Sequence, residues 1–268
     1  MSHAPIGIFD SGLGGLTVAR AIYHALPNES TIYFGDTARV PYGPKSPAVV
    51  RRYSLEIGEW LARQGVKLVV VACNTSTAHA LDALQAALPV PVLGVIEPGA
   101  RAAVRASGTR PVGVIGTAGT IASGAYQRAI AALSPETVVV AASGPLLVPL
   151  VEEGWFDHPA TRLVVAEYLG PLVARGIGSL VLGCTHYPLL KPLLAEVAGP
   201  AISLIDSAAE TAAAVEANLT GRGARAGEGR APVHRFVVSD DPERFRAVGA
   251  RFLGERLAAA EVVSLGGH

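Results

Sequence analysis

The chain has 268 residues, close to two domains' worth of sequence, and 50% of them are hydrophobic while only 16% are charged. This composition excludes intrinsic disorder, which requires low hydrophobicity and high net charge. Lysine plus arginine and aspartate plus glutamate number 22 each, and this zero formal charge argues against nucleic acid or an anionic membrane surface as the main partner.

The first part of the chain alternates short apolar runs with helical periodicity. The runs predict strands at 6–9, 31–34, 68–72 and 92–96. The periodic segments predict helices at 16–26, 47–64 and 76–88. Ser46 and Pro47 supply an N-cap and a proline at the first helical position, and Gly65 ends that helix.

The same alternation begins again after Pro98. The predicted strands are 112–115, 138–142, 180–182, 233–239 and 262–265. Helices are predicted at 122–133, 160–175 and 207–219, the last opened by a capping box from Ser207 to Glu210. Asp241 and Pro242 cap a further helix, and the Gly- and Arg-rich stretch 220–232 is predicted as an exposed loop.

Alternating strands and helices predict an α/β fold with largely parallel sheets. The residues from Ile6 resemble those from Val112, and the residues from Val69 resemble those from Leu180. We therefore expect two similar lobes, each a mainly parallel sheet flanked by helices, with the active site in the cleft between them. The expected first lobe is 1–97 with 208–268, and the expected second lobe is 98–207.

The two cysteines, Cys73 and Cys184, both follow predicted strands. A free cysteine is most often a small buried hydrophobic residue, but two thiols at matching strand ends indicate chemistry, since ligands bind at that edge of α/β sheets. Two cysteines are too few for a disulfide scaffold in a protein of this size, and their spacing is not that of a Cys-x-x-Cys redox pair. Cys184 and His186 would supply only two ligands, which is too few for a zinc site. The first residues do not resemble a signal peptide, and no apolar run is long enough to span a membrane, so a cytoplasmic protein with free thiols is expected.

Three further groups are candidates for chemistry. Asp10 and Ser11 begin a glycine-rich turn, which is either an ordinary turn or an anion cradle; it is not a dinucleotide fingerprint, because Thr17 stands where the third glycine is required. Glu152 belongs to a glutamate pair that, taken alone, indicates a solvated surface. His186 lies two residues after a cysteine and is suited to proton transfer.

Five motifs together resemble the glutamate racemase family. They are FDSGLGG, PYG, VVACNT, VEEG and LGCTHYP, in this order, and the resemblance runs from Ile6 to about Ala214. It implies a cofactor-independent isomerase that interconverts L- and D-glutamate and supplies D-glutamate for peptidoglycan of the bacterial cell wall. Members of the family are commonly dimers, so a homodimer is a possible assembly, although nothing in the periodicity identifies an interface.

The resemblance also implies roles for particular residues. Cys73 would serve the D-enantiomer and Cys184 the L-enantiomer, with Asp10 assisting Cys73, His186 assisting Cys184 and Glu152 tuning the acid–base pair. The implied substrate contacts are Asp10, Ser11, Pro41, Tyr42, Gly43, Asn74, Thr75, Thr117, Thr120, Thr185 and His186. Inversion at Cα requires a base on one face and an acid on the other, and two thiols from opposing lobes meet that requirement.

Three alternatives remain open from the sequence. An aspartate racemase would use two cysteines in the same way. A cysteine hydrolase using Cys184 and His186 would need only one nucleophile and would tolerate the loss of Cys73. An amino-acid binding protein with two α/β lobes would not exchange the Cα hydrogen of its ligand.

Overall fold

The computed structural model describes residues 3–227, 229, 231–254, 257 and 259–266. Within these residues the chain forms two separate sheets. The strands are β1 (Ile6–Asp10), β2 (Thr31–Gly35), β3 (Leu68–Val71), β4 (Val92–Gly94), β5 (Val112–Gly116), β6 (Val139–Ser143), β7 (Ser179–Gly183), β8 (Ser203–Ile205), β9 (His234–Val238) and β10 (Ala260–Val262).

Both sheets are entirely parallel, which confirms the predicted α/β fold. The first has the order β10-β9-β2-β1-β3-β4 and the second the order β6-β5-β7-β8. β1, β3, β5 and β7 are fully buried, as continuous apolar runs in parallel sheets predict. The first sheet therefore takes its strands from both ends of the chain, and the second takes its strands from the middle.

Helices surround the two sheets. They are α1 (Leu16–Ala25), α2 (Pro47–Arg63), α3 (Asn74–Ala87), α4 (Ile96–Ser107), α5 (Ala118–Ala122), α6 (Ala125–Leu133), α7 (Leu147–Glu152), α8 (Pro159–Val173), α9 (Lys191–Ala198), α10 (Ser207–Gly221) and α11 (Pro242–Leu253), with a 3-10 turn at Tyr187–Leu190. In the described part of the chain, none of these is long and apolar enough to cross a bilayer. α10 packs against both α1 and α4, so it contacts helices on either side of the predicted lobe boundary.

Several helix boundaries differ from the sequence prediction. The predicted strand 92–96 ends at Gly94, because α4 begins at Ile96. The predicted helix 122–133 begins only at Ala125, because Gly124, whose φ of 66° lies in the left-handed region, separates it from α5. The cap of α10 is Asp206, whose Oδ1 accepts the Ala208 N–H at 2.9 Å, so the predicted capping box at Ser207 is wrong.

Other elements were not predicted or are shifted. α4, α7, α9, the 3-10 turn and β8 have no counterpart in the sequence prediction, since they are short or carry internal prolines. The last strand ends at Val262, where the predicted strand begins. In the stretch 220–232, α10 continues to Gly221 and a turn follows it at 222–223. The described residues from 224 to 232 form neither helix nor strand. Residues 228 and 230 lie outside the described residues.

A buried ion pair attaches a late segment of the chain to the first sheet. Lys67 Nζ lies 2.5 Å from Glu29 Oε2, and both side chains are buried. Lys67 Nζ also donates to the Ala224 carbonyl at 2.8 Å, and Glu29 Oε1 accepts the Ala226 N–H at 2.7 Å. The segment after α10 is therefore held by charged groups that water does not reach.

We predict that Lys67→Met lowers the free energy of unfolding by about 3–5 kcal/mol, because it leaves the Glu29 carboxylate buried without its cation. Urea denaturation measures this change. The control is Arg101→Ala, which breaks an exposed pair with Glu97 and should cost less than about 1 kcal/mol. Equal losses in the two variants would contradict the prediction.

Candidate active site

β1 ends in a buried carboxylate. Asp10 Oδ2 accepts the Gly12 N–H at 2.9 Å, whereas Oδ1 accepts no hydrogen bond from any residue that the structure describes. Burial raises the pKa of Asp10, and the charge of His186 and three backbone N–H groups lower it less strongly. An unpartnered buried carboxylate oxygen is a binding position for a cation or a proton.

Cys73 caps the helix that follows β3. Its Sγ accepts the Ser76 N–H at 3.4 Å, and its thiol donates to Ser11 Oγ at 3.7 Å. Burial and then the charge of Asp10 raise the pKa of Cys73 to about 11, although the Ser76 and Ser11 hydrogen bonds lower it. Cys73 is therefore a neutral thiol at neutral pH, which suits it to donate a proton.

The residues after Cys73 contact the second sheet's turns. Asn74 Oδ1 accepts a hydrogen bond from Tyr126 at 2.7 Å, and its buried Nδ2 finds no partner among the described residues. The Thr75 hydroxyl lies 2.9 Å from Thr117 Oγ1 and 3.2 Å from Thr120 Oγ1. A free amide donor and a cluster of hydroxyls are groups that bind a carboxylate.

The loop with the PYG motif packs against Cys73. The Tyr42 ring is buried beside this cysteine, and its hydroxyl donates to Asp36. The Gly43 carbonyl accepts the Gly119 N–H at 2.9 Å, which joins this loop to the turn after β5. Pro41 is exposed at the surface, so only Tyr42 and Gly43 of this motif reach the interior.

The second thiol belongs to a chain of three acid–base groups. Cys184 Sγ lies 3.8 Å from His186 Nδ1, and His186 Nε2 lies 3.1 Å from Glu152 Oε1. Burial lowers the pKa of His186, but the hydrogen bonds and charges of Cys184 and Glu152 outweigh this effect and raise it to about 10. Burial alone would raise the pKa of Glu152, but His186 and Arg244 lower it. The imidazole thus lies between the Cys184 sulfur and the Glu152 carboxylate.

Gly14 lets the two loops meet. A Cβ atom on Gly14 would lie 2.1 Å from Thr185 Oγ1 and 2.6 Å from His186 Nδ1, so no other residue fits. Thr17 also donates to the Thr185 carbonyl at 3.4 Å. Because Ser11 in the same loop contacts Cys73, the loop after β1 links the surroundings of both thiols.

The structure therefore brings most of the predicted site residues to one region between the sheets. Both cysteines are buried, with exposures of 5% for Cys73 and 7% for Cys184. The sequence analysis missed Tyr126, Asp36 and Arg244, which contact Asn74, Tyr42 and Glu152. No motif marks these residues: Tyr126 and Arg244 reach the site from distant helices, whereas Asp36 lies directly after β2, six residues before Tyr42.

The arrangement offers two proton-transfer groups and no constellation for a metal. Among the described residues, no group of three or more His, Cys, Asp or Glu side chains has a metal-binding arrangement. One thiol lies beside a carboxylate and the other beside an imidazole, so protons can be taken up and released at both. The site is thus equipped for acid–base chemistry.

Comparisons with known proteins cover nearly all of the chain. A family described as Asp/Glu/hydantoin racemase matches residues 13–215. A glutamate racemase from Syntrophus aciditrophicus is 54% identical over 261 residues, which are 97% of this chain and 97% of that protein. The fold is similar to that of a glutamate racemase from Bacillus anthracis, with a TM-score of 0.94 and 40% identity over 98% of both chains. A glutamate racemase from Francisella tularensis, solved in complex with D-glutamate, has a TM-score of 0.92 and 37% identity over 98% of both chains.

We predict that Glu152→Gln lowers the pKa of His186, because it removes a hydrogen-bonded negative charge from Nε2. NMR titration of the His186 ring measures this pKa. Glu153→Gln is the matched control, since it neutralises the adjacent, exposed carboxylate. An unchanged His186 pKa in Glu152→Gln would show that the pair has no electrostatic effect.

The same shift makes stability depend on pH. In the folded protein the pKa of His186 is raised from 6.5 to about 10, so its protonation stabilises the fold fully below about pH 6.5. This contribution is lost as the pH rises through about 10. The loss should be smaller in Glu152→Gln, which thermal unfolding across this pH range measures.

Proposed function

The chain belongs to the Asp/Glu/hydantoin racemase family, and on that premise we propose that Cys73 and Cys184 are the two acid–base groups with which it interconverts L- and D-glutamate. It is an isomerase. Its sequence is 54% identical to two glutamate racemases, over 97% and 99% of the chain, and this identity indicates glutamate as the substrate. One observation supports the two-thiol mechanism above others: two buried thiols follow strands of two parallel sheets, with the Asp10 carboxylate near Cys73 and the His186 imidazole beside Cys184.

The protonation states favour a defined starting point. His186 is protonated at neutral pH and its Nδ1 lies 3.8 Å from Cys184 Sγ, whereas Cys73 keeps its proton. We propose that Cys184 is the thiolate with which the L-to-D reaction begins. In this state Cys184 removes the Cα proton of L-glutamate, and Cys73 delivers its own proton to the opposite face to form D-glutamate. The two thiols exchange states in one turnover, so the product complex is ready for the reverse reaction.

The reverse reaction depends on Cys73 as a base. With a pKa of about 11, only about one Cys73 in 10⁴ is ionised at pH 7 in the unliganded site. The ammonium group of a bound amino acid would pair with the free Oδ1 of Asp10 and offset the negative charge that raises the pKa of Cys73. Substrate binding thus makes Cys73 a stronger acid at the stage where it must lose its proton.

The polar groups around the thiols suit the remaining parts of glutamate. We infer that Asn74 Nδ2 and the hydroxyls of Thr75, Thr117 and Thr120 bind its carboxylates, since these are unpartnered or mutually bonded donors in a buried place. Ser11, Thr185 and His186 complete the wall between the two thiols. Tyr42 and Gly43 would contribute through their backbone, because the Tyr42 hydroxyl is committed to Asp36. Pro41 would act only by shaping this loop.

Three wider expectations accompany this function. The D-glutamate formed would supply peptidoglycan synthesis, as in the family. The precursors of that polymer are made inside the cell, so we expect the enzyme in the cytoplasm. We also propose a homodimer, because members of the family are commonly dimers. The lobe boundaries at 97/98 and 207/208 remain a separate proposal.

We predict that Cys73→Ala and Cys184→Ala each lower racemisation in both directions by at least about 10³-fold, because each removes one of the two proton-transfer groups. Polarimetry with L- and D-glutamate measures the loss, and circular dichroism checks the fold. A folded alanine variant that racemises at nearly the wild-type rate would overturn the mechanism and favour a one-nucleophile hydrolase or a packing role.

Hydrogen exchange in deuterated water distinguishes the two thiols. Wild-type enzyme should place deuterium in the product early, while unreacted substrate stays largely unlabelled, because the acceptor and donor differ. Cys73→Ala should exchange only the Cα hydrogen of L-glutamate, and Cys184→Ala only that of D-glutamate, without inversion. If either variant instead exchanged the Cα hydrogen of the other enantiomer, the assignment of Cys184 to L-glutamate and Cys73 to D-glutamate would be wrong.

We predict that activity survives dialysis against EDTA and needs no pyridoxal phosphate, because the side chains that surround Cα supply both proton transfers. The rate of L-glutamate racemisation is compared before and after dialysis. Recovery of activity only after a divalent metal or pyridoxal phosphate is added would contradict this prediction. Aspartate, assayed in parallel, should turn over far more slowly than glutamate.

A further inference from the structure

Tyr126, in α6, contacts the sequence neighbours of both thiols. Its hydroxyl donates to Asn74, the residue after Cys73, at 2.7 Å. Its ring occupies the space beside Gly183, the residue before Cys184, since a Cβ there would lie 3.2 Å from Tyr126 Cε2. The side chain is buried, with 1% exposure. One rigid ring therefore spans the gap between the two strand ends that carry the thiols.

We propose that Tyr126 is a positioning residue that orients the Asn74 amide and fixes the spacing between the Cys73 and Cys184 strand ends. This inference rests on the two-thiol racemisation proposed above and assigns a part of it that neither cysteine motif contains. Tyr126 acts through Asn74 and Gly183.

The orientation of Asn74 follows from the single proton of the tyrosine hydroxyl. A buried hydroxyl needs an acceptor, and Asn74 Oδ1 is the acceptor it contacts. If the amide rotated by half a turn, Nδ2 would face Tyr126 and the oxygen would face the site. The observed orientation instead directs the unpartnered Nδ2 donor away from Tyr126, where it can bind a carboxylate.

The Tyr126 hydroxyl keeps its proton throughout the reaction. Burial raises its pKa most, and negative charge at Cys184 and Asp206 raises it further. Ionisation of Cys184 therefore strengthens the tendency of Tyr126 to remain a neutral donor. The hydrogen bond to Asn74 persists in both charge states of the active site, as a positioning contact requires.

Loss of the Tyr126–Asn74 hydrogen bond should lower the rate of inversion at Cα more than the rate at which the Cα proton is removed. Each thiol can still remove a Cα proton when the opposite thiol is displaced, but the intermediate is then reprotonated from the same face. Tyr126→Phe keeps the ring against Gly183 and removes only the hydroxyl, so it releases Asn74 and the adjacent Cys73 while the Cys184 side stays in place. We expect KM for both enantiomers to rise by about 10-fold and the ratio of substrate labelling to inversion in deuterated water to rise by a similar factor.

Tyr187→Phe is the matched control. Tyr187 is equally buried, and its hydroxyl donates to the Gly144 carbonyl at 2.9 Å, a bond that does not join the two sheets. This variant loses one buried hydrogen bond, as Tyr126→Phe does, but it should leave the labelling ratio unchanged. Equal changes in both variants would overturn the proposal, because they would reflect general loosening.

A double-mutant cycle with Asn74→Ala tests whether Tyr126 acts through Asn74. If it does, Tyr126→Phe should have almost no further effect on KM in the Asn74→Ala background. Additive effects, or a wild-type labelling ratio in Tyr126→Phe, would overturn the proposal. Wild-type enzyme is the reference for the underlying mechanism: early label in unreacted substrate there would refute two-thiol racemisation itself, whichever result Tyr126→Phe gives.

Discussion

The close approach of the loop after β1 to the end of β7 is the contact on which the active site depends. Gly14 has no side chain, and the space that a Cβ would need is filled by Thr185 and His186. The same loop begins directly after Asp10 and contacts Cys73 through Ser11. A single turn thereby joins the surroundings of two thiols that belong to different sheets. Close packing at this point leaves little room for alternative arrangements of the thiols.

The two thiols lie in unlike surroundings. A carboxylate and a helix N-terminus surround Cys73, whereas an imidazole bonded to Glu152 adjoins Cys184. The two-thiol reaction proposed above needs such an asymmetry, because it requires one sulfur to accept a proton while the other donates one. His186 also lowers the pKa of Asp10, although burial raises it more, so the charges beside the two thiols influence each other.

The sequence predicts the parts of this site that are local in the chain. Cys73, Cys184 and Asp10 all follow buried strands, and parallel strands bring such ends to one edge, so their proximity within each sheet can be inferred without a structure. Tyr126 and Arg244 could not be identified, because they lie within helices whose periodicity indicates packing or exposure. The α4 helix was missed because Pro98 and Gly99 occur in its first turn, where proline is tolerated but periodicity is hidden. The α10 cap was placed one residue late because both Asp206 and Ser207 are good capping residues.

The burial of both sulfurs also limits the rate at which oxidants can react with them. A thiolate that is exposed to peroxide proceeds to sulfenic and then to irreversible sulfinic acid, at a rate set by its accessibility. Both sulfurs are nearly inaccessible in the folded chain, with exposures of 5% for Cys73 and 7% for Cys184. Oxidation of either cysteine should therefore require the loops that cover it to open first.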